Sequence, residues 1–113
     1  METYSIYCGG KFLTTKKILE VKNPHSEKTF ANTFLAGENE IELAIVAAHA
    51  VKREMKELPS WKKFQILREI SDAITTDRER LALLLCKESG KPMRYALGEI
   101  DRAAQTFLVA AEE

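Results

Sequence analysis

The sequence predicts an α+β fold in which short N-terminal strands are followed by four helices. Up to residue 36, short runs of alternating apolar and polar side chains are separated by turn residues, which is typical of strands. From residue 37, apolar side chains recur every three or four positions, which is typical of amphipathic helices. A chain of 113 residues suits little more than one domain. We therefore expect a β segment at residues 1–36 and a helical segment at residues 37–113, which together form one incomplete domain.

Three strand regions are predicted in the β segment. Asn23-Pro24 ends the second of them, because proline fixes φ and lacks a donor for a strand ladder. Residues 24–28 then form the loop of a hairpin. The regions are residues 4–8 with Phe12 and Leu13 after a Gly9-Gly10 turn, residues 18–22, and residues 29–34.

The first two helices are separated by Pro59. The first begins at residue 38, and either Gly37 with Glu40 or Asn39 with Glu42 supplies its N-cap and N3 residues. The second begins at Pro59-Ser60. Its apolar stripe, and hence its expected core face, consists of Trp61, Phe64, Leu67, Ile70 and Ile74.

The last two helices are separated by Gly90, which tolerates the left-handed conformation at a helix end, and by the Pro92 that follows it. Residues 76–79 (Thr-Asp-Arg-Glu) form a capping box that starts the third helix. Gly98 lies in the middle of the fourth helix and indicates close packing against another backbone. That helix reaches residue 113 without a stop signal, which favours a chain cut from a longer one. The expected core faces of these two helices are Leu81, Leu84, Leu85 and Cys86, and Met93, Ala96, Leu97, Ile100, Ala103, Ala104, Phe107, Ala110 and Ala111.

Composition excludes several classes of function. Seventeen Lys and Arg balance seventeen Asp and Glu, so no nucleic-acid partner is expected. No apolar run approaches the length of about 18 residues that a membrane span needs, so no membrane partner is expected. Cys8 and Cys86 are too few for a disulfide framework, which favours reduced thiols in a cytoplasmic protein.

The residues alone provide no catalytic constellation. Neither Gly9-Gly10-Lys11 nor Ser89-Gly90-Lys91-Pro92 fits a phosphate-binding loop, and no GxGxxG dinucleotide motif is present. His25 and His49 lack the neighbours of a zinc site. Two further features are read as structural: Glu88 and Glu99 fall on different helices, and Asp101-Arg102 is read as a solvated ion pair.

An ordered series of short motifs resembles the N-terminal region of the NAD(P)-dependent aldehyde dehydrogenases. The family pattern runs from a strand with an internal glycine through a V-x-N-P turn, an A-h-x-A-A helix and an h-L-R helix to E-[ST]-G-K-P and a helix with A-x-x-E. The resemblance covers nearly the whole chain, from about Tyr4 to Glu113. The matching residues are 6–12, 21–24, 44–48, 58–63, 66–68 and 88–92, followed by Ala96 and Glu99.

The resemblance implies the N-terminal part of an α/β cofactor-binding domain, in a family that oxidises aldehydes with NAD or NADP. The family's catalytic cysteine, general-base glutamate and cofactor motif all lie beyond this region, so no catalytic, cofactor-binding or metal residue is assigned here. We expect the chain to be inactive alone and to bind no cofactor alone, with the remainder of the enzyme as its partner and a homo-oligomer as the assembly. By analogy Ala103 and Phe107 border substrate access, whereas periodicity favours a core role for both. The alternative is a non-catalytic helical interaction module, such as a truncated paralogue that docks onto full-length subunits.

Overall fold

Five strands precede five helices in a computed structural model that describes all residues from Met1 to Glu113. The predicted α+β class is therefore confirmed. The chain divides into two compact units, residues Met1–Glu57 and Leu58–Glu113. The first contains β1 (Glu2–Thr3), β2 (Ile6–Cys8), β3 (Lys11–Leu13), β4 (Ile18–Lys22), β5 (Thr29–Phe34), α1 (Glu38–Ala50) and α2 (Lys52–Glu57); the second contains α3 (Ser60–Thr76), α4 (Arg78–Ser89) and α5 (Met93–Glu112).

The first unit holds a three-stranded sheet of order β1-β5-β4 and a separate hairpin of β2 and β3. Strand β4 runs antiparallel to β5, and the two-residue β1 runs parallel to β5 on its other side. The loop between β4 and β5 is held by Asn23, whose side-chain oxygen accepts the backbone N–H groups of His25 and Ser26 at 2.9 and 3.1 Å. The predicted hairpin is thus present. Strand β1 was not predicted, since two residues are too few to show a periodicity.

The predicted first helix is divided in two at Val51, whose backbone leaves the helical region at φ −98° and ψ 0°. Ala48, Val51 and Met55 keep their helical spacing through this position, so periodicity alone gave no sign of the break. The N-terminus of α1 follows the Gly37 and Glu40 alternative: the backbone N–H of Gly37 donates to the Glu40 carboxylate at 2.7 Å. Glycine has no side chain to return a hydrogen bond, so only half of the reciprocal capping arrangement forms.

The second unit is built around α5, which packs against both α3 and α4. Its interior consists of small side chains, which let the helix backbones approach one another. The hydroxyl of Ser71 on α3 donates to the backbone carbonyl of Ala104 on α5 at 2.7 Å and so crosses this interface. The buried residues of the unit are Ser71, Ala82, Ala96, Ala104 and Ala111.

Several large side chains that were predicted to lie in the core are exposed. Trp61 is 67% exposed and Phe64 is 41% exposed. Ile70 and Met93 are also exposed. The predicted face of α3 exists, but Trp61 and Phe64 in its N-terminal half are only partly covered within these 113 residues. Periodicity identifies which face of a helix is apolar, and it does not identify what packs against that face.

The start of α4 differs from its prediction, whereas its end agrees. The Asp77 carboxylate accepts from the Arg80 guanidinium rather than from backbone amides, and the Thr76 hydroxyl donates back to the Asp72 carbonyl at 3.0 Å. The predicted capping box is therefore wrong. Gly90 does adopt the left-handed conformation, with φ 73°, and its N–H donates to the Cys86 carbonyl at 2.9 Å. None of the five helices combines the length and the apolar composition that a membrane crossing requires.

Candidate functional site

The turn between α4 and α5 contains the most distinctive motif of the sequence, Glu88 to Pro92, and is held by its own hydrogen bonds. The Ser89 hydroxyl donates to the Leu85 carbonyl at 2.7 Å and accepts the backbone N–H of Lys91 at 3.3 Å. The Pro92 carbonyl accepts the N–H groups of Tyr95 and Ala96, both at 3.0 Å, and so begins α5. Gly90 supplies the left-handed backbone conformation, Pro92 begins the next helix, and Ser89 supplies the hydrogen bonds of the turn.

An ion pair joins this turn to the second turn of α5. The Lys91 ammonium is hydrogen bonded to the Glu99 carboxylate, and the Arg102 guanidinium lies 3.9 Å from the same carboxylate. The hydrogen bond from Lys91 lowers the pKa of Glu99, and the charges of Lys91 and Arg102 lower it further. At neutral pH the Glu99 carboxylate is therefore ionised and paired with Lys91, which makes it a poor general acid and a weak base. Its contribution is to tie the turn to the helix.

Beside this ion pair lies an open groove of about 510 Å³. Its floor is Gly98, and a Cβ atom placed there would meet no other atom within 4 Å. The Arg94 guanidinium stacks over the Tyr95 ring at 4.8 Å and donates to its hydroxyl at 2.9 Å, which holds the ring at one side. The groove lacks any thiol or imidazole. It is lined by Ser89, Lys91, Pro92, Tyr95, Gly98, Glu99 and Arg102.

The expectation that a backbone packs closely against Gly98 is not met inside the chain itself. Within these 113 residues no backbone packs closely against this glycine. A glycine inside a helix indicates that another backbone approaches closely, but the sequence does not identify the segment that does so.

Ala103 and Phe107, the two candidate substrate-access residues, lie one turn apart on α5 and are both half-buried. At 100° per residue both point within about 20° of the direction of the buried Ala96. This placement agrees with the core role that periodicity favours. A role in substrate access stays a prediction.

Each cysteine contacts a group of its own unit. The buried Cys8 thiol donates to the Glu40 carbonyl at 3.4 Å, and Cys86 lies with its sulfur 3.6 Å from that of Met93. Both cysteines are free thiols, and both histidines are exposed. The structure groups no three His, Cys, Asp or Glu side chains in a way that could hold a metal ion.

A second ion pair was missed by the sequence analysis. Asp101 accepts two hydrogen bonds from Arg78, from Nε at 2.5 Å and from Nη2 at 2.8 Å, and so joins the start of α4 to α5. The predicted pairing of Asp101 with Arg102 is wrong, because adjacent residues of a helix point in different directions. The Arg78 hydrogen bonds lower the pKa of Asp101. Partners 23 residues apart leave no local signal in a sequence.

The α3–α5 bundle, the Gly-Lys-Pro turn and the strands before them correspond to one class of protein. The chain belongs to the aldehyde dehydrogenase family, and the family's sequence model matches residues 12–113. The chain is an N-terminal region of that family, as the motif series indicated.

Two curated relatives illustrate the match. The chain is 36% identical over 107 residues to the mitochondrial succinate-semialdehyde dehydrogenase of Oryza sativa subsp. japonica, which covers 93% of this chain and 20% of the relative. It is 32% identical over 114 residues to the 3,6-anhydro-alpha-L-galactose dehydrogenase of a Vibrio species, covering 99% of this chain and 24% of the relative. The chain thus spans about a fifth to a quarter of the length of the curated relatives it matches.

Solved structures give the same result for the fold. Aldehyde dehydrogenase 21 from Physcomitrella patens, in complex with the reaction product succinate, superposes with a TM-score of 0.94 at 30% identity over 98% of this chain and 23% of that one. A 3,6-anhydro-L-galactose dehydrogenase in complex with NAP superposes with a TM-score of 0.91 at 26% identity, over 97% and 24% of the two chains.

Proposed function

We propose that this chain forms the N-terminal part of an enzyme that oxidises an aldehyde to a carboxylate with NAD or NADP. The observation that carries the proposal is the superposition of 98% of the chain on aldehyde dehydrogenase 21 with a TM-score of 0.94. The family match over residues 12–113 supports it independently from sequence. In the overall reaction a hydride passes from the aldehyde carbon to the nicotinamide, and water supplies the second carboxylate oxygen.

The residues present in this region do not fit a dinucleotide. The one junction from a strand into a helix is β5 to α1, and there the Glu40 carboxylate already accepts the Gly37 N–H. Glu38 adds a second negative charge to the same helix N-terminus. A phosphate would meet two carboxylates where a dinucleotide site offers free N–H groups. We therefore assign cofactor binding to the part of the enzyme outside these residues and expect no catalysis from this chain alone.

The substrate we propose is a small aldehyde that carries a further polar or charged group. Among the relatives are dehydrogenases named for succinate semialdehyde, 3-sulfolactaldehyde and lactaldehyde. In this proposal Ala103 and Phe107 border the path by which the aldehyde reaches the reacting centre. The remainder of the enzyme is the partner of this region, and further copies of the enzyme complete a homo-oligomer.

We propose a cytoplasmic location because both cysteines are free thiols, as expected in a reducing compartment. Fractionation of source cells with an antibody to residues 38–113 tests it. Recovery with the cytosolic fraction agrees with the proposal, and recovery with mitochondria, as the name of the rice relative would suggest, contradicts it.

The test of the function measures NAD(P)H absorbance with a panel of small polar and charged aldehydes. We expect no turnover from the 113-residue chain and clear turnover from a longer polypeptide of the source organism that contains it. Turnover by the chain alone would contradict its dependence on other segments. If a polypeptide of only 113 residues co-purifies with complete aldehyde dehydrogenase subunits, the chain is an interaction module instead.

A further inference from the structure

Gly98 forms the floor of the groove, and no conformation or contact within the chain requires a glycine at this position. Glycine is the poorest helix former apart from proline, and Gly98 lies in the interior of the 20-residue helix α5. Its φ is not in the left-handed region, and a Cβ there would meet nothing within 4 Å. Neither backbone conformation nor contacts inside these 113 residues therefore account for the residue. Close approach of a backbone from elsewhere would account for it.

The walls of the groove suit such an approach. Tyr95 stands about one turn before Gly98 and Arg102 about one turn after it, so both rise beside the bare stretch of helix. The Tyr95 ring is held in place by Arg94, and Glu99 is neutralised by Lys91. Arg102 has a side chain that is 78% exposed, and its ion pair with Glu99 spans 3.9 Å. Its guanidinium thus has N–H donors available for incoming oxygen atoms.

We infer that this groove receives a backbone segment from the part of the aldehyde dehydrogenase polypeptide that lies outside these 113 residues. The segment lies against Gly98 and presents carbonyl or carboxylate oxygens to Arg102. This inference rests on the proposed function, which supplies the polypeptide. The length available is large, because 76 to 80% of the two relatives described above lies outside the matched region.

A photo-crosslinking experiment identifies the occupant. Tyr95 is replaced by p-benzoylphenylalanine in the polypeptide as its source cells make it, and cross-linked peptides are mapped after irradiation. A matched control places the same group at Gln105, an exposed position of α5 that does not line the groove. We expect cross-links from position 95 to the same polypeptide beyond residue 113. Cross-links to residues 1–113 of a second copy, to another protein, or to nothing would each overturn the inference.

A substitution at the floor tests the same contact by the sign of its effect. In a groove that stays open to solvent, Gly98→Leu is neutral or stabilising, because leucine is the better helix former. Against a closely packed backbone the substitution is destabilising. The amount of soluble polypeptide recovered after a heating step should then fall on the order of tenfold. Gln105→Leu is the control and should leave recovery unchanged. Unchanged or improved recovery of Gly98→Leu would overturn the inference.

Aldehyde oxidation and polypeptide mass, measured in the same preparations, separate the two proposals. A heavy, active enzyme without the expected cross-link means that the groove inference fails while the proposed function stands. A 12.8 kDa product without dehydrogenase activity means that the proposed function fails, and the groove inference fails with it.

Discussion

Ser71 is the polar residue on which the interface of α3 and α5 depends. It is 6% exposed, and its hydroxyl donates to the Ala104 carbonyl at 2.7 Å. The buried position of this serine was not predicted. Its small side chain allows close helix packing, and its hydrogen-bond partner is 33 residues away in the sequence, so neither property gives a local signal. A hydrogen bond of this kind contributes about 1 kcal/mol.

We expect Ser71→Ala to lower the free energy of unfolding by about 1 kcal/mol, because alanine keeps the close approach and loses the hydrogen bond. Thr106→Ala is the control: its exposed hydroxyl donates within its own helix to the Arg102 carbonyl, and its effect should stay within about 0.5 kcal/mol. Urea denaturation followed by circular dichroism measures both. Equal effects of the two substitutions would mean that the buried hydrogen bond has no special role.

At the scale of elements, α5 is joined to its neighbours by small residues inside and by ion pairs outside. Ala96 has no exposed surface, and it lies on the side of α5 that packs against the other helices. We expect Ala96→Leu to destabilise the fold by about 1 to 3 kcal/mol, because the interior has no room for three more carbon atoms. Gln105→Leu on the exposed side is the matched control. A neutral Ala96→Leu in the same denaturation measurement would show that the helices can separate at little cost.

The Arg78–Asp101 pair gives the fold a dependence on pH. Hydrogen bonds from Arg78 lower the pKa of Asp101 in the folded chain. A carboxyl group with a lowered pKa stabilises the fold at all pH values above its ordinary range, near 3.9, and this contribution is lost as the pH falls through the folded pKa. Stability should therefore fall below about pH 4. The same holds for Glu99, whose pKa Lys91 lowers.

We expect Asp101→Asn to make stability less sensitive to acid, with a flatter profile between about pH 5 and pH 2. Glu88→Gln, an exposed carboxylate on α4 outside both ion pairs, should keep the steep profile. Urea midpoints across this pH range measure the difference. Parallel profiles for the Asp101→Asn variant and the unmodified chain would mean that the pair makes no contribution.

At this scale the sequence predicted the features that depend on local backbone chemistry. Gly90 and Pro59 gave correct helix ends, and Asn23-Pro24 gave the hairpin, because each acts through local backbone chemistry. The break at Val51 and the Arg78–Asp101 pair were missed, since a single dihedral change and a long-range contact leave no periodic signal. The capping box at Thr76 failed because its side chains found other partners.

At the scale of the whole molecule, the exposed apolar surface is the dominant feature. No large side chain is fully buried, and many apolar side chains of α1 and α3 are open, among them Ile45, Val46 and Trp61. Large exposed apolar side chains grouped on one helix are typical of a surface that another segment covers. The sequence placed Trp61 on the expected core face of its helix, and the exposure of this side chain contradicts that expectation. The same faces are available to the remainder of an aldehyde dehydrogenase, and the candidate site at Gly98 was predictable only as a place of close packing.

We expect the 113-residue chain to bind a hydrophobic dye such as ANS strongly and to self-associate at moderate concentration, because its apolar faces are uncovered. A polypeptide of the source organism that contains the chain within a longer sequence should bind little dye in its native state. Dye fluorescence and light scattering at matched molar concentration measure the difference. A monomeric chain without dye binding would favour a self-standing module.

The central claim is that these residues act as the N-terminal part of a larger aldehyde dehydrogenase, and the mass of the native polypeptide tests it most directly. An antibody to residues 38–113 is applied to an extract of source cells. Because the matched region is 20 to 24% of its curated relatives, we expect a band about four to five times heavier than 12.8 kDa. A single band at 12.8 kDa would contradict the account and leave a short chain whose role is other than catalysis by this enzyme.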